Sequence, residues 1–407
     1  MQPAAFAFDP LAPEFQADPY PFYELLRENM PQFYWQDWNM WFFSRHEDCA
    51  AVLKDSRFGH EILNHASREE LGWGQVPEEQ RALSDVINNW MLNRDPPDHT
   101  RLRGLVHKAF TPRMVEHLRE FVRQMVIKAL NQAQDEGGME VVSALAYPVP
   151  VAVIAELLGV PNQDRAVFSS WSRSLAMTLE LTDDERVYSE GSKAADEFRQ
   201  YFQDLIAERR RNPKDDLLSA LVMTELEGDR LNERELISMC VLLLVAGHET
   251  TVNLIGNGTL ALLRHPDQYA LLCADPDGLS KSAVEELLRY DSPVQLTTRF
   301  ALEEVDMAGQ HIRKGQQVAT LLGAANRDPA RFNDPSTLDI TRADNPHLAF
   351  GSGIHYCVGS PLARLEAQIV FSEMARRFPM MQLMDDNPLY RKTYVLRGVE
   401  RLNVSVK

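Results

Sequence analysis

The sequence is poor in cysteine, with four in 407 residues, and Cys49, Cys240, Cys273 and Cys357 stand far apart. There is no Cys-x-x-Cys pair and no histidine at zinc-finger spacing, which excludes a disulfide framework and a structural zinc site as expectations. A cysteine with a chemical role must act alone, as a nucleophile or as the single thiolate of a cofactor. Positive charge is also short. The chain has 42 Lys and Arg against 59 Asp and Glu, and a net charge of -17 repels polyanions, so neither nucleic acid nor an anionic membrane is expected as a general partner. Residues 1–22 show no basic segment followed by an apolar run, and no uninterrupted apolar stretch reaches the roughly eighteen residues that span a bilayer. The expectation is a cytoplasmic monomer. Gly/Ser tracts, charge blocks and solenoid repeats are missing too, which predicts one unit over residues 1–407.

What is present is mostly helical. Apolar residues recur at spacings of three and four through 114–133, 194–209, 216–226 and 260–272. Strand patterns are shorter: an aromatic-rich run at 33–43, a hairpin around Gly309 within 305–319, and the segment 394–406. The fold class expected is therefore mainly α with small β-sheets (α+β). Residues 58–97 and 161–190 are broken by Pro, Gly and polar residues and read as long loops, either lids over a pocket or surface variation.

The longest apolar helix is expected over 235–263. It is apolar nearly all round, so it should cross the core. Gly247, His248, Glu249, Thr250 and Thr251 lie in its middle, where a charge and side chains that compete for backbone hydrogen bonds are out of place without a function.

Phe350-Gly-Ser-Gly-Ile-His-Tyr-Cys357-Val-Gly359 precedes an amphipathic helix at 360–378 that opens Ser360-Pro361. Glycines at 351, 353 and 359 free the backbone to turn and to approach a flat ligand. Cys357 lies just before the helix N-terminus, where exposed N–H groups and the positive end of the dipole favour a thiolate. A lone cysteine in a Gly-rich turn is ordinarily a small buried apolar residue. The pattern here is longer than that reading needs: Phe350, Gly351, Gly353, His355, Cys357 and Gly359 resemble, in register, the haem-binding loop of the cytochrome P-450 family, and the resemblance implies Cys357 as the iron ligand.

Other segments resemble the same family, in order, from about residue 18 to residue 406. Glu286-Leu-Leu-Arg289 resembles its Glu-x-x-Arg pair, a structural pair behind the haem. The family often adds an arginine where this chain has Thr337, with Arg342 the candidate substitute. Asp95-Pro-Pro-Asp-His99-Thr-Arg-Leu-Arg103 resembles the start of the helix that supplies His99 and Arg103 to the haem propionates, and Arg299 and His355 complete that set. Singly each reads as a surface charge; together they make an anion site.

The family's acid–alcohol pair matches Glu249 and Thr250, with Ala246 and Gly247 one turn earlier, where the helix could open to admit oxygen and water. The resemblance makes Thr250 the holder of the hydrogen-bond network at the distal oxygen and Glu249 a proton relay that rotates toward solvent. The plainer readings are a salt-bridged glutamate and a hydroxyl bonded back to a carbonyl. Position in the family puts the substrate walls at the 58–93 loop, near residues 175–179, and at Leu243, Ala246, Val294, Leu296, Val395 and Leu396. Most are apolar, so the substrate class is a hydrophobic small molecule.

The resemblance thus implies a haem b oxidoreductase, a monooxygenase that hydroxylates such a molecule. With neither a dinucleotide fingerprint nor an iron–sulfur cysteine set, electrons from NAD(P)H should arrive through a ferredoxin reductase and a ferredoxin. Lys108, Arg113 and Arg364 are the expected docking charges. A hydrogen-peroxide-driven peroxygenase and a non-catalytic haem-binding protein are the competing readings, and retention of both Glu249 and Thr250 weighs against them.

Overall fold

The computed structural model describes residues 9–10, 12–36, 38–226 and 231–407. Six helices position the site: α1 (Asp98–Ala109), α2 (Arg165–Met177), α3 (Glu185–Arg211), α4 (Glu233–Arg264), α5 (Pro276–Tyr290) and α6 (Ser360–Arg377). Strands β1 (Gln32–Trp35), β2 (Met40–Phe43), β3 (Phe58–Gly59), β4 (Gly138–Glu140), β5 (Leu296–Ala301), β6 (Val305–Met307), β7 (Gln310–Ile312), β8 (Gln317–Leu321), β9 (Gln382–Leu383) and β10 (Asn403–Ser405) make three small sheets. This is the mainly α architecture expected of the sequence.

The 32-residue helix α4 is the axis. Asn232 caps it in a reciprocal box: its Oδ1 accepts from Glu235 N at 3.0 Å and its own N–H donates to Glu235 Oε2 at 2.9 Å, satisfying two N-terminal amides. By length and composition α4 could cross a membrane, but 83% of its apolar window is buried inside the protein. It packs against the helix Pro148–Leu157 and against α2, α3, α5 and α6, so its apolar circumference is core surface.

The largest sheet runs β1-β2-β8-β5-β3, with β2 parallel to β8 and the other neighbours antiparallel. Met40 faces Gln317 and Leu296 faces Leu321, so the sheet joins the first sixty residues to the segment around 300. A satellite core of Phe43, Val52, Phe58, Val305, Ile312 and Val318 sits beside it.

Several expectations need correction. The periodic run 260–272 is two helices, because Pro266 bars His265 from the helical region (φ -124°, ψ 74°) and opens a second helix, Pro266–Ala274. The 305–319 hairpin is confined to β6 and β7, turning through Ala308 and Gly309 at positive φ, and β8 then leaves for the large sheet. Residues 58–97 include the helix Arg81–Asn88, and 161–190 include α2; both are amphipathic, with a polar outer face that resembles loop composition. The segment 394–406 has strand geometry only at β10; upstream, bridges pair Val294 with Leu396 and Tyr390 with Val399.

Candidate active site

The cysteine loop closes on itself through Cys357 N, which donates to Phe350 O at 3.0 Å. Gly351 and Gly353 adopt φ of +70° and +68°, and a Cβ on Gly353 would lie 2.3 Å from Leu53 O, so that position admits only glycine. Gly359 is different. Its φ of -81° suits any residue, and its contribution is an amide N–H that, with that of Ser360, lowers the Cys357 pKa. Burial still pushes the thiol up overall, against those amides, Arg103 and Arg364. The amides at the helix N-terminus thus act in the expected direction, opposing the desolvation that raises the thiol.

Two arginines brace this loop. Arg103 Nη2 donates to Tyr356 O at 2.7 Å. Arg364 grips Glu285 through Nε (2.7 Å) and Nη2 (2.8 Å), donates to Tyr356 Oη at 3.1 Å and lies 4.5 Å from the Phe350 ring centroid. Arg364 is thus committed to the fold rather than offered as a docking charge, whereas Lys108 and Arg113 are exposed.

On the other side of the loop, three imidazoles meet. The ring centroids of His99 and His355 are 4.2 Å apart, and those of His60 and His355 4.9 Å. Burial, then neighbouring Arg charge, holds His99 down to about 4 and His355 to about 2, and lowers His60 well below its ordinary range. Each Nε2 is buried without a hydrogen-bond partner. Arg299, 5% exposed, is lowered to about 10 by burial, partly offset by Asp95. Two guanidinium groups and three orphaned imidazole nitrogens form a donor set for carboxylates, which is what two propionates require. His60 was not found by sequence reasoning, since a lone histidine in a Gly- and Pro-broken segment has no local signal.

Glu286 and Arg289 are fully buried and paired at 2.8 and 2.7 Å. The arginine missing at position 337 is replaced in space: Arg342 Nε donates to Glu286 Oε2 at 3.1 Å, while Thr337 contributes its carbonyl to Arg289 Nη2 at 3.1 Å. Asn345 Nδ2 also reaches Glu286 Oε2, at 3.1 Å.

On α4, residues 235–262 are all buried except Ala246, Gly247 and Thr250. Those three share one face at spacings of one, three and four, one turn beyond Leu243. The helix does not open there: Thr250 Oγ1 donates back to Ala246 O at 2.8 Å, a bond a threonine makes without breaking the helix. Glu249, 2% exposed, does not reach solvent; Arg391 Nη1 donates to its Oε2, and its Oε1 has no hydrogen-bond partner. Both polar atoms of the Asn253 side chain, one turn further along, are likewise buried and unpartnered. The expected wall residues Val294, Leu296, Val395 and Leu396 come together through the Val294–Leu396 bridge and a Gln295 N to Val395 O bond of 2.8 Å. Arg391, Asn253 and Glu180, described below, are further residues that spacing alone does not reveal.

A planar macrocycle with two carboxylates and a thiolate-bound iron fits these residues: the orphaned nitrogens suit the carboxylates, Cys357 suits the iron, and the uncovered face of α4 suits an oxygen ligand.

Comparison with known proteins agrees. A family model described as Cytochrome P450 matches residues 28–275 and 279–405. The chain is 43% identical over 394 residues to the biotin biosynthesis cytochrome P450 of Bacillus subtilis (strain 168), covering 96% of this chain and 97% of that one. It is 41% identical over 400 residues to the 6-deoxyerythronolide B hydroxylase of Saccharopolyspora erythraea, covering 96% of each. The crystal structure of P450BioI with hexadec-9Z-enoic acid ligated acyl carrier protein superposes with a TM-score of 0.88 at 43% identity, over 96% of this chain and 99% of that one. The chain is accordingly a member of the cytochrome P450 family, a haem b oxidoreductase of the monooxygenase type fed by NAD(P)H through partner proteins.

Proposed function

We propose that this P450 hydroxylates a hydrophobic small molecule, with electrons from a ferredoxin reductase and a ferredoxin, in the cytoplasm. The supporting observation is the single break in the burial of α4, where Ala246, Gly247 and Thr250 present a small, partly polar face beside a buried acid. Bound through Cys357, the haem supplies dioxygen activation, which thiolate ligation favours.

The chain's own residues do the rest. His60, His99, His355, Arg103 and Arg299 hold the propionates. Thr250 turns its hydroxyl from Ala246 O to the pocket and holds a hydrogen-bond network there. Glu249 provides protons, and Arg391, whose side chain is 22% exposed, links that carboxylate to the solvent side. Leu243, Val294, Leu296, Val395 and Leu396 keep water out and bind apolar substrate surface. Lys108 and Arg113, both exposed, are the cations for an acidic ferredoxin, and Ile354 and Tyr356 are exposed on the cysteine loop.

Similarity to P450BioI, solved with a fatty acyl group on a carrier protein, favours a long acyl chain as the first substrate class to test. The experiment is a titration of the ferric protein with free fatty acids, acyl carrier proteins, macrolactones, terpenoids and steroids, read as a spin-state shift, then product analysis with ferredoxin and reductase. A binder converted to a product with one added oxygen supports the reading. Turnover driven better by hydrogen peroxide than by the electron-transfer chain reverses it in favour of a peroxygenase.

A further inference from the structure

Glu180 follows α2 in the connection to α3 and is 8% exposed. Its carboxylate accepts three consecutive backbone amides: Tyr394 N at 2.7 Å and Val395 N at 2.8 Å on Oε2, and Leu396 N at 2.9 Å on Oε1. A buried carboxylate is costly unless its oxygens are filled, and these donors fill them while arresting a loop that forms no strand. The amides belong to the segment bearing the apolar wall residues Val395 and Leu396.

The other end of that segment meets the acid of α4. Arg391 donates to Glu249 Oε2, and its backbone is fixed by Arg391 N to Gly398 O and by Thr393 N to Arg391 O, both at 2.9 Å. Thr393 Oγ1 donates to Leu396 O, and Val395 O accepts from Gln295 N at 2.8 Å. Residues 391–396 are therefore cross-braced into one stiff piece. Glu249 has no second anchor: its Oε1 is unpartnered, and His248 Nδ1 stands off at 3.8 Å.

We propose that residues 391–396 form one positioning element that makes proton supply depend on substrate fit, with Glu180 fixing the wall at Val395 and Leu396 and Arg391 fixing the Glu249 carboxylate. This rests on the reading above, in which Glu249 provides protons and Val395 and Leu396 touch substrate. A substrate that fits the wall leaves the brace unstrained and Glu249 in place. One that presses on Val395 displaces Arg391 and takes the acid out of position. Glu180 and Arg391 are positioning residues; neither needs to touch the reacting atoms.

The test uses the haem-loaded full chain with ferredoxin, reductase and hexadec-9Z-enoic acid as the probe. It reads the spin-shift midpoint and the fraction of NAD(P)H electrons recovered as hydrogen peroxide at saturating probe. Arg391→Gln is expected to leave the midpoint within about two-fold and to raise the peroxide-to-product ratio about ten-fold or more, with Arg391→Lys restoring most of the coupling. Glu180→Gln is expected to raise the midpoint about ten-fold and also to raise peroxide at saturation, at a residue whose carboxylate is bonded to the loop amides. If Glu180→Gln does not retain haem, Glu180→Asp keeps the charge, shortens the reach and gives the same two readings. A weakened midpoint with unchanged peroxide in the Glu180 variant, or unchanged peroxide in Arg391→Gln, overturns the coupling. Glu249→Gln separates the two levels: if it alone loses coupling, the positioning element fails and the proton role stands; if it too keeps full coupling, both fail.

Discussion

Arg342 Nε donates to Oε2 of Glu286 at 3.1 Å, so one fully buried carboxylate serves two guanidinium groups drawn from segments 53 residues apart, from α5 and from the loop after Thr337. Removing either cation leaves charge uncompensated in the interior. Arg289→Ala is expected to lower stability by about 3–5 kcal/mol. Arg342→Ala should cost about 1–3 kcal/mol, because Asn345 and the Asp339 amide (2.9 Å) still reach Glu286. Urea unfolding of the haem-bound protein measures both. An Arg342→Ala midpoint equal to wild type would show that this arginine is not the third member of the network.

Thr250→Ala removes the only hydroxyl on the uncovered face of α4. Electron consumption should continue while product falls by about 10²-fold and peroxide rises. Coupling equal to wild type would assign Thr250 to its backbone bond with Ala246 alone.

Acid should loosen the cysteine loop through Glu285. Burial raises its pKa, but the hydrogen bonds from Arg364 and His347 outweigh that and hold it at about 2 against an ordinary 4.5. Between those values the unfolded chain binds the proton and the folded chain does not, so stability rises with pH in that window. The contribution, roughly 3 kcal/mol, is complete above about pH 4.5 and is lost as pH falls toward about 2. Glu285→Gln should destabilise the protein at neutral pH and flatten the acid limb of the stability curve; an unchanged acid limb contradicts the assignment.

His60→Phe keeps an aromatic ring beside His355 and removes one orphaned donor. At about 1 kcal/mol per hydrogen bond, haem transfer to apomyoglobin should quicken about five-fold, without loss of the thiolate-type spectrum of the reduced carbon monoxide complex. That spectrum should vanish in Cys357→Ser. Unchanged haem retention in His60→Phe would restrict the propionate site to His99, His355, Arg103 and Arg299.

The features legible in the sequence are those with a local register. The cysteine loop, Glu286 with Arg289, His99 with Arg103, and the extent of α4 each depend on spacings along a few turns or one hairpin. What escaped detection depends on distant chain meeting distant chain. Residues 394–396 are strand-like, yet their three amides go to Glu180, 214 residues from Tyr394, and so they form no strand. His60 acquires meaning only against His355, and Glu249 looked able to swing to solvent until Arg391 closed over it. The long segments 58–97 and 161–190 were misread for a different reason: short amphipathic helices exposed on one side share the composition of loops.

The strand order β1-β2-β8-β5-β3 also constrains how the molecule is made. β2 ends at Phe43, and its parallel partner β8 ends at Leu321, so the N-terminal hairpin must wait on the ribosome for roughly 280 further residues, about 15–55 s at ordinary elongation rates. Cys357 emerges later still, and β10, which pairs with both β4 and β9, last of all. The aromatic hairpin at 32–43 therefore stays without its sheet partner until β8 has been made.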